Sequence, residues 1–363
     1  MPPPPSPSSR WGDSVRSVVR VALYTPTGVA GGRRVAGPDE DAFTLGATAV
    51  ERVLPDEGQF EGPVPVHLLG DFPQVADWGF AALLGRAAEV ERHPGTSTAL
   101  AKVLRSAEEG NGGSALVVAV DLPERAHGSP EAEPSPLGAA SVAFLLTSDS
   151  ASSRVSLGKV AAGRSAVAAA LLYGARHRDR ERGGSVTFVG DWDAAPEVGP
   201  SVDLVSVQRA ADRETNAVSE GAYVPKPRYL ENLPSRWRFV AERCGACNEV
   251  TFPARGSCRR CGRPDALNAH SLPRDGGTIL AVTTIRKGGQ PTEFDAQVDA
   301  SGPYDVALVE LAPGARVTLQ VTDSAPGSVH VGDSVVTRLR RLYPMEGEWR
   351  YGRKALASLR EPG

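Results

Sequence analysis

Cys244, Cys247, Cys258 and Cys261 are the only cysteines among the 363 residues. They form two C-x-x-C pairs, Cys244-Gly-Ala-Cys247 and Cys258-Arg-Arg-Cys261, with ten residues between them. Each pair presents two thiolates on a tight turn, and a short intervening hairpin can bring the pairs together around one tetrahedral zinc. The expectation is a zinc ribbon. Four thiolates fill the coordination shell and leave no position for water, so the ion would hold a fold and perform no chemistry. Two disulfides are a competing reading, but they need an oxidising compartment and no secretory signal is visible. A redox C-x-x-C is another, and it would not need two copies.

These thiols need elements to position them, and the chain is long enough for two or three domains. Hydrophobic residues make up 41% and charged residues 23%, the balance of a soluble globular protein. No apolar run approaches the roughly 18 residues that would span a bilayer. Met1 to Arg10 is Pro/Ser-rich without an apolar core, so it reads as a disordered tail. A cytoplasmic location follows as an expectation and agrees with reduced, metal-bound cysteines.

The formal net charge of −3 hides an asymmetry. Residues 1–224 carry 28 acidic against 20 basic side chains, and residues 225–363 carry 15 against 20. Around the cysteines lie Arg243, Arg255, Arg259, Arg260 and Arg263. A basic module joined to an acidic one can meet phosphates or an acidic partner, or simply carry solvated charge.

In chain order, Ser17 to Pro26 alternates and is β-rich, and Pro38-Asp39-Glu40-Asp41 reads as a helix start with acids in its first turn. Phe43, Ala47, Val50 and Leu54 then fall on one helical face. Val64 to Leu69 reads as a strand, Val75 to Leu84 and Thr96 to Glu109 as helices. Ala115 to Val120 is a continuous apolar run, the pattern of a strand buried on both faces. Ala139 to Leu146 and Val155 to Val160 read as further strands. The result is a layered α/β domain.

Four fragments of this region carry a resemblance: Pro38 to Gly46, Pro94-Gly-Thr-Ser-Thr-Ala-Leu100, Ala115 to Asp121 and Gly138 to Leu146. In the order βαβαβαββ, over roughly residues 17–165, they resemble the N-terminal half of the thiolase superfamily, closest to its hydroxymethylglutaryl-CoA synthase branch. That resemblance implies a nucleophilic Cys just before the Gly-Thr that opens the third helix. Here the stretch is Val90-Glu-Arg-His-Pro-Gly-Thr96, and Arg92 or a neighbour takes the Cys position. No catalytic residue is therefore assigned. If the fold were active as an atypical acyltransferase, Glu91, His93 and Ser97 would be the first residues to test.

Residues 166–224 give a helical Val167 to Tyr173, a charged Arg176 to Arg182, and strand-like Gly184 to Val189 and Val202 to Val207. Asp191, Asp193 and Glu197 lie in a Pro/Gly loop and read as solvated acids before they read as metal ligands. Ala222 to Leu233, with Pro225 and Pro227, reads as an extended linker. Beyond the cysteines, Thr278 to Ile285, Asp305 to Leu311, Arg316 to Thr322 and Ser334 to Leu342 read as strands between Gly/Pro turns, which suggests a small closed barrel of the OB type.

A second resemblance rests on Arg243-Cys-x-x-Cys247, Phe252-Pro-Ala-Arg255, Cys258-x-x-Cys-Gly262, Gly302-Pro-Tyr-Asp-Val-Ala-Leu-Val-Glu-Leu311, Gly314-Ala-Arg316 and Val331-Gly-Asp-Ser-Val335. Together, over residues 230–345 or so, they resemble the DUF35 family, which joins a rubredoxin-like zinc ribbon to an acyl-CoA-associated OB fold. That resemblance implies partnership with a thiolase-superfamily enzyme. The expected layout is a tail (1–16), a thiolase-like α/β domain (17–221) with or without a truncated second half, a linker (222–239), a zinc ribbon (240–268) and an OB-fold domain (269–363).

The leading functional expectation is a non-catalytic acyl-CoA-binding scaffold. It would sit in a hetero-oligomer with a thiolase-superfamily catalytic subunit, in acyl-CoA carbon–carbon bond formation or cleavage. Arg255, Arg286, Lys287, Arg338 and Arg340 are the candidates for the CoA phosphates, since cationic side chains pair with phosphate oxygens. A ribbon plus a barrel also permits single-stranded nucleic-acid binding, which sparse barrel aromatics and the acidic N-terminal region oppose.

Overall fold

The apolar run at Ala115–Asp121 forms a strand between two others near the middle of a sheet, where both faces are covered. The computed structural model describes residues 17–26, 29–30, 33–37, 39–54, 62–109, 113–122, 139–147, 164–177, 186–193, 224–286, 288–289, 294, 298, 302–345 and 348–357. The order is β1 (Ser17–Tyr24), β2 (Val29–Ala30), β3 (Arg33–Arg34), α1 (Ala42–Val53), β4 (Val64–Leu69), α2 (Ala76–Leu84), β5 (Ala88–His93), α3 (Ser97–Glu109), β6 (Ala115–Asp121), β7 (Ala140–Thr147), α4 (Ala166–His177) and β8 (Thr187–Gly190). The main sheet runs β5-β4-β6-β7-β1-β8. β4 is parallel to both β5 and β6, β7 is antiparallel to β6 and β1, and β8 is parallel to β1.

Alternate side chains of this sheet feed two cores. Val64, Val66 and Leu68 join Phe43, Leu45, Val50 and Phe80 from α1 and α2 on one face. Leu69, Val117 and Phe144 join Leu100, Val103 and Leu104 from α3 and Val167 from α4 on the other. The layered α/β domain is therefore three layers deep. The stated order βαβαβαββ requires a strand between the second and third helices. β5 supplies it, from a stretch (Ala88-Glu-Val-Glu-Arg-His93) too polar to read as a strand.

Two elements differ from expectation. The acids of Asp39-Glu40-Asp41 do not lie in the first turn of α1, which begins only at Ala42. Asp41 is the N-cap, accepting from the Thr44 N–H while the Thr44 hydroxyl accepts from the Asp41 N–H. The stretch expected as an extended linker is instead two short helices, α5 (Lys226–Glu231) and α6 (Leu233–Arg238). Pro227 and Pro234 sit in the first turns, where no intrahelical N–H is needed, so the prolines start these helices.

This helical pair is a wedge. Trp237 is fully buried, packed near Phe43 of α1 and stacked on Trp78 of α2. Its indole N–H donates to the Tyr351 carbonyl at 3.0 Å, and the Tyr229 hydroxyl donates to the same oxygen at 2.9 Å. Trp237→Ala should cost about 3–5 kcal/mol, the usual range for deleting a buried aromatic. Urea unfolding of the full chain checks this.

The named elements that follow among the described residues are strands. β9 (Val240–Cys244), β10 (Val250–Thr251) and β11 (Leu267–Ser271) make a three-stranded sheet in the order β10-β9-β11. β12 (Asp275–Ile285), β13 (Tyr304–Ala312), β14 (Ala315–Thr322), β15 (Ser334–Met345) and β16 (Glu348–Ala357) close as β12-β13-β14-β16-β15, a five-stranded barrel. The last strand was not legible, because Glu348-Trp-Arg-Tyr-Gly-Arg-Lys354 carries four charges. The expected tail, the strands at 155–160 and 202–207, Arg178 to Arg182, Glu197 and Lys287 lie outside the described residues. No helix among the described residues is long and apolar enough to cross a membrane.

Candidate functional site

β9 delivers Cys244 at its end, and the chain turns back through Asn248, whose φ of 60° is one that Asn tolerates. The Asn248 N–H closes the turn on the Cys244 carbonyl at 2.8 Å. The second pair repeats the device: Gly262 takes a φ of 74° and its N–H meets the Cys258 carbonyl at 2.9 Å. The two turns face each other. Sγ of Cys244 lies 3.6 Å from that of Cys261, and Cys247 lies 3.5 Å from Cys258 and 3.7 Å from Cys261. Sulfurs bound tetrahedrally at a zinc–sulfur length of about 2.3 Å stand about 3.8 Å apart, so the donor set fits zinc. Backbone N–H groups, that of Cys261 first and then that of Arg260, pull the Cys258 thiol down to about 6 against its burial. Cys247 goes the other way: the Glu249 N–H lowers it, but burial and the neighbouring thiols Cys258, Cys261 and Cys244 together push it up to about 12. The thiols therefore share protons as one cluster, which metal binding would displace.

The ribbon is tied to the barrel at both ends. Phe239, Ala241 and Leu272 belong to the barrel core, with Phe252 packed edge-on against Phe239. At the far end Arg259 donates to the Gly314 carbonyl at 3.2 Å, in the turn between β13 and β14.

A second feature was not foreseen. Arg340, Arg341, Arg350, Arg353 and Lys354, on the paired strands β15 and β16, are at most 4% exposed. Three of them face acids of the α/β domain. Arg340 lies 2.8 Å from Glu40 and 3.3 Å from Asp323, Lys354 lies 2.9 Å from Asp39, and Arg353 pairs with Glu51. Hydroxyls complete the clasp: Tyr351 donates to Asp41 at 2.8 Å, Thr322 to Asp39 at 2.9 Å, and Tyr24 to Glu40 at 2.7 Å.

At the centre of the clasp, Asp39, Glu40 and Asp323 face Arg340 and Lys354, three carboxyls against two cations. Burial pushes Asp39 up, but Lys354 and Arg340 outweigh it and hold the group at about 2. For Glu40 burial wins over Arg340, helped by Asp323 and Asp39, and the carboxyl rises to about 6 from 4.5. A carboxyl whose folded pKa is raised contributes stability below its unfolded pKa and loses it as pH rises through the folded one. The window here is 4.5 to about 6. Glu40→Gln mimics the protonated form, so its stability relative to wild type should improve by roughly 2 kcal/mol between pH 4.5 and pH 7. Denaturant unfolding of both proteins across that range measures it, and a flat difference would contradict it.

The sequence candidates scatter. Arg340 is corrected: its guanidinium is fully buried among carboxylates of this chain and does not face solvent. Arg338 pairs with Asp275 at 3.1 Å. Arg255 and Arg286 are exposed, and the Arg255 N–H donates to Glu242 at 2.9 Å. Arg92 is occupied: it pairs with Asp77 at 2.8 Å and donates to the carbonyls of Phe72 and Pro73 at 2.6 and 3.0 Å. A permanently charged guanidinium cannot replace a thiolate nucleophile. Ser97 is buried at the start of α3, its N–H on the Arg164 carbonyl at 2.9 Å. Glu91 and His93 do come together, with His67 of β4 as a third member. Asp191 is not a solvated acid, because Arg52 lies 2.9 Å from it and the Thr25 N–H donates to it.

Comparison with known proteins fits this geometry. Residues 235–266 match the family described as ChsH2, rubredoxin-like zinc ribbon domain, and residues 270–340 match ChsH2, C-terminal OB-fold domain. A DUF35 domain-containing scaffold protein of Methanothermobacter thermautotrophicus is 35% identical over 121 residues, 33% of this chain and 85% of that protein. The protein of the same description from Methanocaldococcus jannaschii is 30% identical over 115 residues, covering 32% and 77%. Among solved structures, an Ltp2-ChsH2(DUF35) aldolase is similar at 25% identity and a TM-score of 0.26, over 32% of this chain and 84% of that one. HMG-CoA synthase complexed with CoA is similar at 15% identity and a TM-score of 0.29, over 37% and 42%. At these TM-scores the structural likenesses add nothing to the sequence match. Through its zinc ribbon and closed barrel, the chain belongs to the DUF35 family.

Proposed function

We propose that this chain is a non-catalytic scaffold subunit that handles acyl-CoA beside a thiolase-superfamily catalytic subunit, in carbon–carbon bond formation or cleavage. The observation that carries the reading is the match to curated scaffold proteins across most of their length. Arg92 supports it, since the thiolase resemblance gives the nucleophile position to Arg92 or a neighbour, and the Arg92 guanidinium is already spent on Asp77 and two carbonyls. The partner would supply the Cys and His chemistry. The zinc, held by Cys244, Cys247, Cys258 and Cys261, would stiffen the docking element. The reading carries with it a cytoplasmic, reducing location.

Burial of the five β15–β16 cations also weighs against nucleic-acid binding. The basic excess of residues 225–363 is spent partly on acids of the α/β domain, and a nucleic-acid groove needs its cations at the surface. Arg255 and Arg286 remain as candidate phosphate contacts, with Lys287 next to Arg286 in sequence. Isothermal titration of the full chain with acetyl-CoA should give saturable binding. Arg255→Ala with Arg286→Ala should weaken it by roughly a hundredfold, about tenfold for each of the two lost charge-assisted contacts. Purification from the native host should bring down a thiolase-superfamily subunit. Absence of both acyl-CoA binding and such a subunit would sink the proposal.

A further inference from the structure

His67, Glu91 and His93 meet at one edge of the main sheet. β4 and β5 are parallel, with His67 opposite Glu91 and Leu69 opposite His93. The two-residue repeat of a strand puts Glu91 and His93 on one face, and the register puts His67 on that face too. β5 is the edge strand, so the cluster opens sideways to solvent. The imidazoles are mostly buried, at 14% and 18% side-chain exposure, whereas Glu91 is 66% exposed.

The donor atoms converge. His67 Nδ1 is 3.2 Å from His93 Nε2 and 3.2 Å from Glu91 Oε2, and His93 Nε2 is 3.7 Å from that same oxygen. A triangle with those sides has its centre about 2 Å from each corner, which is the zinc–nitrogen and zinc–oxygen bond length. A purely hydrogen-bonded trio explains this less well. One N–H on His67 Nδ1 has a single proton for two neighbours at equal distance, whereas one ion satisfies all three lone pairs at once.

We propose that His67, Glu91 and His93 bind a divalent first-row transition ion of the zinc class, separate from the four-cysteine centre. Two imidazoles and one carboxylate select zinc, cobalt, nickel or ferrous iron over magnesium and calcium, which prefer all-oxygen shells. Unlike the ribbon, this site has only three protein donors. It leaves at least one coordination position for water or an oxygen ligand on the solvent side, next to Glu91. It sits in the C-terminal halves of two parallel strands, and Arg92 between its two β5 donors points to the opposite face, where it grips Asp77 and the Phe72 and Pro73 carbonyls. The site stands whether or not the chain is a scaffold.

The test is metal titration of the full chain after the cysteine centre has been filled with one equivalent of zinc. Cobalt chloride should then load a second equivalent, with visible d–d bands but no thiolate-to-cobalt charge-transfer band. His67→Ala and His93→Ala should each weaken that second equivalent by roughly 100-fold or more and leave the first intact. Glu91→Gln should weaken it less and keep both imidazoles bound. The wild-type stoichiometry is decisive without any variant. A single equivalent overturns the proposal, as does a second equivalent that carries thiolate bands or persists undiminished in both histidine variants.

Discussion

Arg340→Met should destabilise the folded chain by about 3–5 kcal/mol, the cost of removing one partner from a buried ionic cluster. The guanidinium is fully buried and lies within 3.3 Å of both Glu40 and Asp323. Methionine fills much of the same volume, so the loss comes chiefly from charge and not from a cavity. It leaves three carboxyls facing Lys354 alone, and they would have to take up protons or open to water. The variant should therefore be most impaired above pH 6 and recover partly in mild acid. Adding Glu40→Gln and Asp323→Asn to it should restore more than half of the loss, because the uncompensated charges go with the cation. Guanidinium chloride unfolding of wild type, single and triple variants measures all of this. A single variant within about 1 kcal/mol of wild type at pH 8 would show that the clasp is solvated and not sealed.

The clasp changes the meaning of the charge asymmetry. In sequence, an acidic first part and a basic second part allowed either an external acidic or phosphate partner or simply solvated charge. In the folded chain the two parts are partners of each other, through Asp39, Glu40 and Glu51 on one side and Arg340, Lys354 and Arg353 on the other. A buried ion pair is weak evidence for net stability, since apolar replacements can do as well. Its value here is geometric. Arg340, Lys354 and Arg353 each meet a different acid of the α/β domain, Glu40, Asp39 and Glu51, so three separate pairings fix the orientation in which the barrel seats.

What could be read in advance follows from range. The cysteine turns depend on four residues and their spacing, and they fold as that spacing implies. The strands Ala115–Asp121 and Tyr304–Ala312 declare themselves by local apolar content. β5 and β16 do not, because their charged side chains are satisfied by residues far away in sequence: Arg92 by Asp77, Arg353 by Glu51. The helices α5 and α6 were hidden by their prolines, whose effect reverses between a helix interior and its first turn. His67 was missed for a related reason. Nothing near it in sequence is a ligand, and only the register of β4 against β5 brings it to Glu91 and His93. The adjacent Arg340-Arg341 in an otherwise barrel-like strand was, beside the charge asymmetry, a sequence hint of the clasp.

Cys258→Ser should remove the cysteine-bound metal and unfold the ribbon tip without unfolding the chain. Structural zinc sites contribute about 10–16 kcal/mol of apparent binding energy, and in small metal domains that energy is the folding energy. The ribbon tip, roughly residues 244–266, has little else. Its sheet pairs β10 with β9 through only Val250 and Thr251, and Cys258 is one of its few buried side chains. The base is different, because Phe239, Ala241 and Leu272 are part of the barrel core and stay packed without metal. Hydrogen exchange should therefore rise sharply at 244–266, change modestly at 240–243 and 267–272, and stay unaltered in β6 and β7. The Arg259 contact to Gly314 should go with the tip, so the turn between β13 and β14 should also exchange faster. Cobalt-loaded protein should lose its thiolate bands. If the tip is the docking element of a scaffold, a co-purified catalytic subunit should dissociate in the same variant. Unchanged protection at 244–266 in metal-free protein would mean that packing, and not zinc, holds the ribbon.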